Sequence, residues 1–442
     1  MSKQDQKELR QQIACEWLEE NYLQFGSLRH DVVTDRLQIR MADSLEDGSA
    51  YSLEFRGKEN WRNLTDKDIN TMVCQCVAEK GVNISTNEMW TALKSDMVPA
   101  VHPLRAWLDG LRPYTADQPD WIDMVAHQVR VKPSGEEAKG DKARGEELWR
   151  ACFKKWFVAM VASWMKDEVV NHTVLVLVGR QGIFKTTWLD KLIPPELRAY
   201  SSKLPLSGQI SKDDRLRLCE NGMLNIDELD AMCGREMNIV KSLLTSTDVN
   251  ERAAYGRLKE RRVRLASFCA STNKREFLTD ITGNRRWLPF EVESIQNPFH
   301  TIIPYERLYA QAKALVEEGI FSYWFDMEEM EVLEEHNEEF RALENEEQLL
   351  PILFDIPAEG KGEFMTTAEI SDKLVTYGGI KKPMNSRKLG MLLSKRGYTK
   401  RTMYISGTMV RGWIVYQREA DEIKLVKKRE NVLTSLQPDN LF

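Results

Sequence analysis

Short apolar runs that end abruptly in glycine or polar residues are the clearest pattern in this chain. Buried strands of a parallel sheet have this pattern, because helices cover both faces of such a sheet. We therefore predict an α/β domain in which the polar ends of three strands share one edge, where such sheets bind their ligands. The three segments are Thr173–Thr187, Gly222–Asp230 and Val263–Asn273.

Helical patterns predominate before these segments, and they predict a mostly helical N-terminal domain over residues 1–131. Its predicted elements are a helix over Lys7–Tyr22, a strand over Asp35–Met41, and capped helices that begin at Thr65 and at Ser85 or Thr86. Residues 132–146 are small and charged, which is typical of a flexible linker. Leu148–Lys166 then predicts an amphipathic helix packed against the sheet of a domain over residues 147–318; a membrane-surface helix is the alternative.

The C-terminal part begins with an acidic helix, predicted over Asp326–Gln348 within a connector of residues 319–358. Residues 359–425 follow in the order helix, helix, hairpin, which is typical of a winged helix–turn–helix domain, and residues 426–442 form a tail. Residues 361–416 carry eleven basic and three acidic side chains, although the whole chain has a net charge of −6. This asymmetry favours DNA over a protein as the ligand of this domain.

The predicted DNA contacts of this domain lie on its second helix, Ser386–Tyr398, and on its hairpin. They are Arg387, Lys388, Lys395 and Arg396 on the helix, and Lys400 and Arg401 on the hairpin.

The first apolar segment, TVLVLVGRQGIFKTT, continues into a turn that resembles a phosphate-binding loop. In such a loop the backbone N–H groups surround the phosphates, the lysine reaches the β and γ oxygens, and the first hydroxyl holds Mg²⁺. We therefore predict ATP and Mg²⁺ as ligands; an ordinary strand–turn–helix connection is the alternative. The predicted binding residues are Gly179, Gly182, Lys185, Thr186 and Thr187.

One residue departs from the standard pattern G-x-x-x-x-G-K-[ST], because Phe184 stands in place of its second glycine. Phenylalanine tolerates positive φ poorly. We therefore expect the loop to differ locally from the standard one, with more effect on hydrolysis than on nucleotide binding.

The other two segments end in side chains suited to the same chemistry. Asp227 is a candidate Mg²⁺ ligand, and Glu228 is a candidate for polarising the attacking water. Asn273 is a candidate for binding the γ-phosphate or that water. Each has a plain alternative, namely solvated acids or a polar turn. Farther along, Arg285 and Arg286 are candidates for an arginine finger, because the guanidinium fork matches a phosphoryl group; a solvated or DNA-facing surface is the alternative.

The strings GRQGIFKTTW, NIDELD, ERAAYGR, ASTN and FLTDITGNRRWLP resemble the virulence-associated E (VapE) family of phage and mobile-element proteins. Members of that family look like superfamily 3 helicases, a branch of the AAA+ ATPases. The resemblance implies a nucleotide site made by Lys185, Thr186, Asp227, Glu228 and Asn273, with Arg285 or Arg286 reaching the ATP of a neighbouring subunit.

The resemblance also implies a channel hairpin that grips single-stranded DNA. The basic stretch NERAAYGRLKERRVR lies in the corresponding interval, so that Arg257 or Lys259 would have this role. A solvated basic loop or an intersubunit contact is the alternative.

Composition narrows the class of protein. A hydrophobic content of 42% and a charged content of 29% are typical of a soluble globular protein, and the N-terminus has no apolar signal region. Seven scattered cysteines favour reduced thiols in a bacterial cytoplasm, and their spacing does not match that of a structural zinc site.

Together with the resemblance to the VapE family, these observations predict a Mg²⁺–ATP-dependent, ring-forming DNA helicase or translocase, a homo-oligomer expected to be a hexamer. It would act on single-stranded or forked DNA during replication of a mobile element. A nucleotide-gated DNA-binding or defence-type ATPase without unwinding activity is the alternative. A regulator that uses only its winged helix is a third.

Overall fold

A computed structural model describes residues 2–40, 61–133, 142–204, 211–227, 229, 234–251, 260–278, 284–358, 362–381, 383–405 and 407–426. Its contacts divide the chain into two compact units. Unit 1 comprises Met1–Arg275 and Arg285–His336, and unit 2 comprises Glu276–Asn284 and Asn337–Phe442.

The helices that begin in unit 1 are α1 Lys3–Leu18, α2 Asp66–Lys80, α3 Thr86–Leu93, α4 Pro103–Asp109, α5 Trp121–Ala126, α6 Lys142–Met165, α7 Lys185–Asp190, α8 Lys212–Glu220, α9 Gly234–Thr245, α10 Tyr305–Glu318 and α11 Met327–Glu338. Its strands are β1 Leu28–Asp31, β2 Arg36–Arg40, β3 Trp61–Asn63, β4 Ala100–Val101, β5 Val129–Val131, β6 Val174–Val178, β7 Ser201–Lys203, β8 Met223–Ile226, β9 Asp248–Glu251, β10 Glu260–Val263, β11 Ser267–Thr272 and β12 Trp287–Ile295.

A six-stranded sheet in the order β5-β12-β6-β11-β8-β7 forms the centre of unit 1. All neighbouring pairs are parallel except β5 with β12. The three strands predicted from apolar runs are confirmed as β6, β11 and β8, and every residue in them is buried. Because carboxyl ends of parallel strands meet at one edge, the residues that follow these strands lie together.

Helix α6 covers one face of this sheet. Trp149, Trp156 and Trp164 are at most 1% exposed. Their indole N–H groups donate to backbone oxygens, for example from Trp156 to Phe268 at 2.9 Å and from Trp164 to Gly222 at 3.1 Å. The membrane-surface alternative for this helix is therefore wrong. Within the described residues, every helix is too short or too polar to traverse a bilayer.

The N-terminal helices begin where their caps predict. Thr65 and Asp68 form a capping box at α2, as do Ser85 and Glu88 at α3. Helix α1 begins earlier than predicted, at Lys3, because Ser2 caps it. A four-stranded sheet in the order β3-β2-β1-β4 accompanies these helices. Of its strands only β2 was predicted, because the others have at most four residues and show no clear alternation.

The predicted boundaries around residues 131–147 need correction. Strand β5 lies inside the predicted N-terminal domain, yet it pairs with β12 at the edge of the large sheet. Helix α6 begins at Lys142, inside the predicted linker. The Tyr200 hydroxyl also donates to Asp31 at 2.9 Å. These long-range contacts place the N-terminal residues and the large sheet in one unit.

Unit 2 contains α12 Asn345–Leu353, α13 Thr367–Gly378, α14 Ser386–Lys395, β13 Phe354–Asp355, β14 Glu363–Met365, β15 Thr399–Ile405 and β16 Thr408–Gln417. Strand β16 pairs with β13, β14 and β15, all antiparallel. Trp413 of β16 and Leu389 and Leu393 of α14 belong to the core of this unit.

The acidic helix predicted over Asp326–Gln348 is two helices, α11 and α12. The chain between them pairs with another segment instead of continuing the helix. The N–H groups of Phe277 and Leu278 donate to the oxygen of Phe340 at 3.0 Å, and the N–H of Ala342 donates to the oxygen of Leu278 at 2.7 Å.

Candidate nucleotide site

The loop between β6 and α7 has three residues with positive φ. Gly179 has φ +155°, Gly182 has φ +85° and Phe184 has φ +67°. A Cβ on Gly179 would lie 3.0 Å from Ile183 Cδ1 and 3.2 Å from the oxygen of Val292, so the strand can end here only with glycine. Gly182 has open space around it, so a side chain would meet no clash there. Glycine is favoured at this position because of the positive φ alone.

Phe184 adopts the left-handed conformation, with ψ 18°, and is the N-cap of α7. This conformation costs a non-glycine residue about 1–2 kcal/mol. Part of that cost is offset by the Phe184 ring, which packs edge-on against Phe299 with centroids 6.2 Å apart. The Lys191 ammonium lies 4.6 Å from the centroid of Phe299. The departure from the standard pattern is thus accommodated by the left-handed backbone.

Lys185 connects the loop to the neighbouring strand. Its side chain is buried, and Nζ donates to the oxygens of Gly179 at 2.6 Å and Arg180 at 2.7 Å. Nζ also donates to Oδ1 of Asn273, just after β11, at 3.1 Å. The structure therefore brings Lys185 and Asn273 together, with the ammonium inside the loop that would surround a phosphate.

Thr186 makes a second connection, to β8 and β11. Its hydroxyl lies 3.2 Å from Oδ1 of Asp227 and 2.9 Å from the hydroxyl of Ser271. Ser271 also donates to Asp227 Oδ1 at 3.2 Å. A carboxylate and two hydroxyls thus converge at the carboxyl edge of the sheet.

Lys203 of β7 pairs with the other oxygen of the same carboxylate, at 2.6 Å from Oδ2. Burial raises the pKa of Asp227, but Lys203 and the hydroxyls of Thr186 and Ser271 outweigh it, so the pKa lies below its ordinary value. Asp227 is therefore ionised at neutral pH, which is the form that binds a metal.

The donor set of Thr186 and Asp227 fits Mg²⁺. Mg²⁺ prefers oxygen ligands and is usually held by one or two carboxylates together with substrate phosphates and water. In the described part of the chain, His, Cys, Asp and Glu side chains form no group of three that would hold a metal by itself. A site completed by phosphate oxygens is consistent with this arrangement.

Arg285 and Arg286 are placed away from this edge. Arg285 is exposed and Arg286 half-buried, and both precede β12. Because Trp287 pairs in parallel register with Val174, the two arginines lie at the amino edge of the sheet. That edge is roughly 13 Å from the carboxyl edge, at about 3.3 Å per residue of β6. The register therefore argues against a role for either arginine at the site of its own chain.

Thr187 and Glu228 are the remaining predicted residues of the site, and the structure describes only the first. Thr187 lies in α7 and its oxygen accepts the Lys191 N–H at 3.1 Å. Glu228 lies outside the described residues, so its role stays a prediction.

Comparison with known proteins decides the family of this region. Residues 141–342 match the model of the virulence-associated protein E-like domain. This part of the chain is a VapE-like domain. It includes β6, β8 and β11 and thus every loop and strand end of the nucleotide site. Among curated proteins, none matches the sequence.

Three solved structures show distant similarity over most of the chain. The apo structure of the NrS-1 C-terminal region (305–718) has a TM-score of 0.43 and 11% identity, covering 89% of this chain and 97% of that one. An A-form apo structure of the same region has a TM-score of 0.40 and 11% identity, over 88% and 96%. Another A-form apo structure gives 0.40 and 11%, over 89% and 97%. These values are too low to assign a function to the VapE-like domain.

The predicted channel hairpin of the VapE-like domain is described only at its base. Strands β9 and β10 pair antiparallel, with Glu251 opposite Glu260 and Asp248 opposite Val263. Arg257 and Lys259 lie outside the described residues. This antiparallel pairing is what a hairpin in this interval requires. The roles of the two basic residues stay predictions.

The predicted DNA contacts of unit 2 fall into two groups. On α14, three of the four basic side chains contact acidic residues or their backbone within the same unit. The contacts join Lys388 to Glu344, Lys395 to Glu338 at 2.6 Å, and Arg396 to the oxygen of Glu347 at 3.4 Å. Arg387, Lys400 and Arg401 are exposed. The basic face of α14 is therefore engaged within unit 2.

Two residues of the site were missed by sequence reasoning. Ser271 was recognised only as part of a polar strand end, and Lys203 was not considered. Lys203 precedes the acidic pair by more than twenty positions. Its only local signal is a lysine at the end of a three-residue strand, and the pairing of β7 with β8 brings it to Asp227.

Proposed function

We propose that this protein is a Mg²⁺-dependent ATPase of the AAA+ class, similar to superfamily 3 helicases, that acts on DNA in the replication of a mobile element. The observation that carries the proposal is the pair of connections from one loop: Lys185 to Asn273, and Thr186 to Asp227. The first two residues of α7 thus contact the ends of two neighbouring parallel strands, as expected for a triphosphate site.

The roles of the residues follow from their chemistry. Lys185 would neutralise the β and γ oxygens of ATP, exchanging its present carbonyl contacts for phosphate oxygens. Thr186 and Asp227 would hold Mg²⁺, which supplies charge neutralisation when bound. Asn273 would bind the γ-phosphate, and Glu228 would orient the attacking water. Hydrolysis then breaks the bond between the β–γ bridging oxygen and the γ phosphorus, giving ADP and phosphate.

An oligomer is supported by the position of Arg285 and Arg286 at the opposite edge of the sheet. An arginine finger at that edge would complete the site of a neighbouring copy. We propose a homo-oligomeric ring, a hexamer by the family resemblance, in which one of these arginines acts in trans. Removal of such a finger typically lowers the rate by about 10³-fold or more.

DNA as the partner is supported by unit 2. Helices α13 and α14 followed by the hairpin of β15 and β16 match the order of a winged helix. The excess of basic residues in this segment favours a phosphate-bearing ligand.

The test is ATP hydrolysis by Lys185→Ala, with Lys80→Ala as a matched control because Lys80 forms an exposed ion pair with Glu20 elsewhere in unit 1. We expect Lys185→Ala to abolish turnover and Lys80→Ala to retain it. Calorimetry of the wild-type protein with Mg²⁺–ATP checks binding separately. Undiminished hydrolysis by Lys185→Ala would overturn the proposal.

A nucleotide-gated DNA-binding ATPase without unwinding is the second candidate, and the left-handed Phe184 favours it, because this residue alters the loop where the standard pattern has glycine. Separation of a forked duplex in the presence of ATP discriminates between the two, with Glu228→Gln as the hydrolysis-deficient control. Hydrolysis without strand separation would support this candidate over a helicase.

A further inference from the structure

The hairpin of β15 and β16 in unit 2 is rich in basic residues and has an exposed aromatic side chain near its tip. Every residue of β15 is exposed. Its tip residue Tyr404 is 78% exposed, an unusual degree for so large a side chain. From residue 399 to residue 417 the sequence contains Lys400, Arg401 and Arg411 and no acidic residue.

The register of the hairpin places three of these side chains on one face. Lys400 is opposite Trp413, Thr402 is opposite Arg411, and Tyr404 is opposite Met409. Because side chains alternate along a strand, Lys400, Tyr404 and Arg411 point to the same side. The Lys400 ammonium lies 5.8 Å from the centroid of the Trp413 ring, which is buried. This face begins beside the buried Trp413 and ends near the turn of the hairpin. Lys400 and Arg411 lie between the core of unit 2 and the exposed ring of Tyr404.

Helix α14 does not offer a comparable surface. Lys395 lies 2.6 Å from Glu338, and Lys388 contacts Glu344. These carboxylates belong to unit 2 itself and already pair with the two lysines. A nucleic acid would have to displace them to reach α14, whereas it would meet no carboxylate of β15 or β16 on the hairpin.

We propose that the hairpin face of Lys400, Tyr404 and Arg411 binds single-stranded nucleic acid, and that α14 does not. Tyr404 stacks on an unpaired base, and Lys400 and Arg411 contact the flanking phosphates. An exposed ring beside cations is the combination that binds single strands without sequence preference, because every base has a π face. This inference rests on the DNA-binding part of the proposed function and is independent of the ATP site.

The test uses the full-length protein and a fluorescently labelled single-stranded oligothymidine, with binding measured by anisotropy in the absence of nucleotide. We expect Tyr404→Ala to weaken binding about 10-fold or more and Tyr404→Phe to bind like the wild type, because the ring is retained. Lys400→Ala and Arg411→Ala should each lower the slope of log affinity against log salt by about 1. Tyr404 is exposed, so its replacement leaves the core intact, and thermal melting checks this.

The matched control is Lys395→Ala on α14, for which we expect an affinity within about twofold of the wild type. Weakening by Lys395→Ala equal to that of Lys400→Ala would overturn the proposal. So would an unchanged affinity of Tyr404→Ala, which is the result for a hairpin that docks on a protein. Equal Tyr404 dependence with a fully paired duplex would also overturn it, because the stacking requires an unpaired base.

The outcomes separate this inference from the ATPase proposal. If Lys185→Ala abolishes ATP hydrolysis but Tyr404→Ala leaves DNA binding unchanged, the ATPase proposal is supported and the hairpin proposal is overturned. If DNA binding depends on Tyr404 but the protein has no ATPase activity, the hairpin proposal is supported and the ATPase proposal is overturned.

Discussion

Lys203 Nζ lies 2.6 Å from Oδ2 of Asp227, so the carboxylate proposed to hold Mg²⁺ already has a cation from its own chain. Lys203 ends β7 and Asp227 directly follows β8, so the parallel pairing of these two strands sets their distance. A metal that binds Asp227 through both oxygens has to replace the ammonium. We therefore expect Lys203 to compete with the metal proposed at Asp227.

Replacement of Lys203 by Met should lower the Mg²⁺ concentration needed for nucleotide binding. An exposed ion pair is worth up to about 1 kcal/mol, which corresponds to a shift of about 2- to 5-fold. Titration of Mg²⁺ against binding of a fluorescent ATP analogue measures this. Lys80→Met, which removes an ion pair of the same length with Glu20, is the control. An unchanged Mg²⁺ requirement in Lys203→Met would contradict competition.

The stability of variants at Phe184 should depend on how well the new residue tolerates the left-handed backbone conformation. Both Phe184→Gly and Phe184→Ala lose the contact with Phe299, but only glycine relieves the strain of φ +67°. We expect the glycine variant to be more stable than the alanine variant by about 1 kcal/mol. Urea unfolding measures the difference. At Leu9, an exposed residue of α1, the opposite order is expected, because glycine is the poorer helix former.

Arg264 is a buried guanidinium that is held by backbone oxygens. Its side-chain nitrogens donate to the oxygens of Leu243, Leu244, Ala266, Ser246 and Asn171 at distances from 2.7 to 3.3 Å. The same side chain therefore joins the end of α9, the start of β11 and the approach to β6.

Replacement of Arg264 by Met should lower the free energy of unfolding by at least about 3 kcal/mol, because several buried carbonyls lose their donors. Thermal and urea unfolding measure the loss. Arg261→Met in β10 is the control, since Arg261 is 76% exposed and forms an ion pair with Asp248. Equal stability of the two variants would refute this role for Arg264.

His102 should make the stability of unit 1 depend on pH. It is the N-cap of α4, where Nδ1 accepts the N–H of Arg105 at 3.3 Å. Burial and the charge of Arg105 lower the pKa of His102 to about 4, against the opposing effects of Asp31 and Asp167. The pKa of a histidine in an unfolded chain is about 6.5. At pH values between about 4 and about 6.5, the imidazole is therefore protonated more in the unfolded chain than in the folded one. The free energy of unfolding therefore falls as the pH drops from about 6.5 to about 4.

The variant His102→Asn retains an N-cap acceptor and removes the titrating ring. Its urea midpoint should decrease less than that of the wild type between about pH 7 and about pH 5. His300→Asn, at an exposed position, serves as the control and should follow the wild type. A His102→Asn protein with the full acid sensitivity would show that another group is responsible.

Local patterns predicted much of the fold and of the site. Thr65 with Asp68 marked the start of α2, and the Val–Leu run marked β6, because caps and buried strands are encoded over a few neighbouring residues. They failed where distant segments pair. Strand β5 completes a sheet whose other strands come from much later in the chain, and Phe340 pairs with Phe277 where a continuous helix was predicted.

The sequence by itself determined the α/β class, the order of the polar strand ends, and the choice of Lys185, Thr186, Asp227 and Asn273, since each follows an apolar run or a glycine turn. Only the tertiary structure decided which side chains meet. Parallel register brought Lys203 to Asp227 and sent Arg285 to the opposite edge, and the packing of unit 2 paired Lys395 with Glu338. The physical reason is that strand pairing and helix packing depend on contacts between residues far apart in sequence, which no local pattern contains.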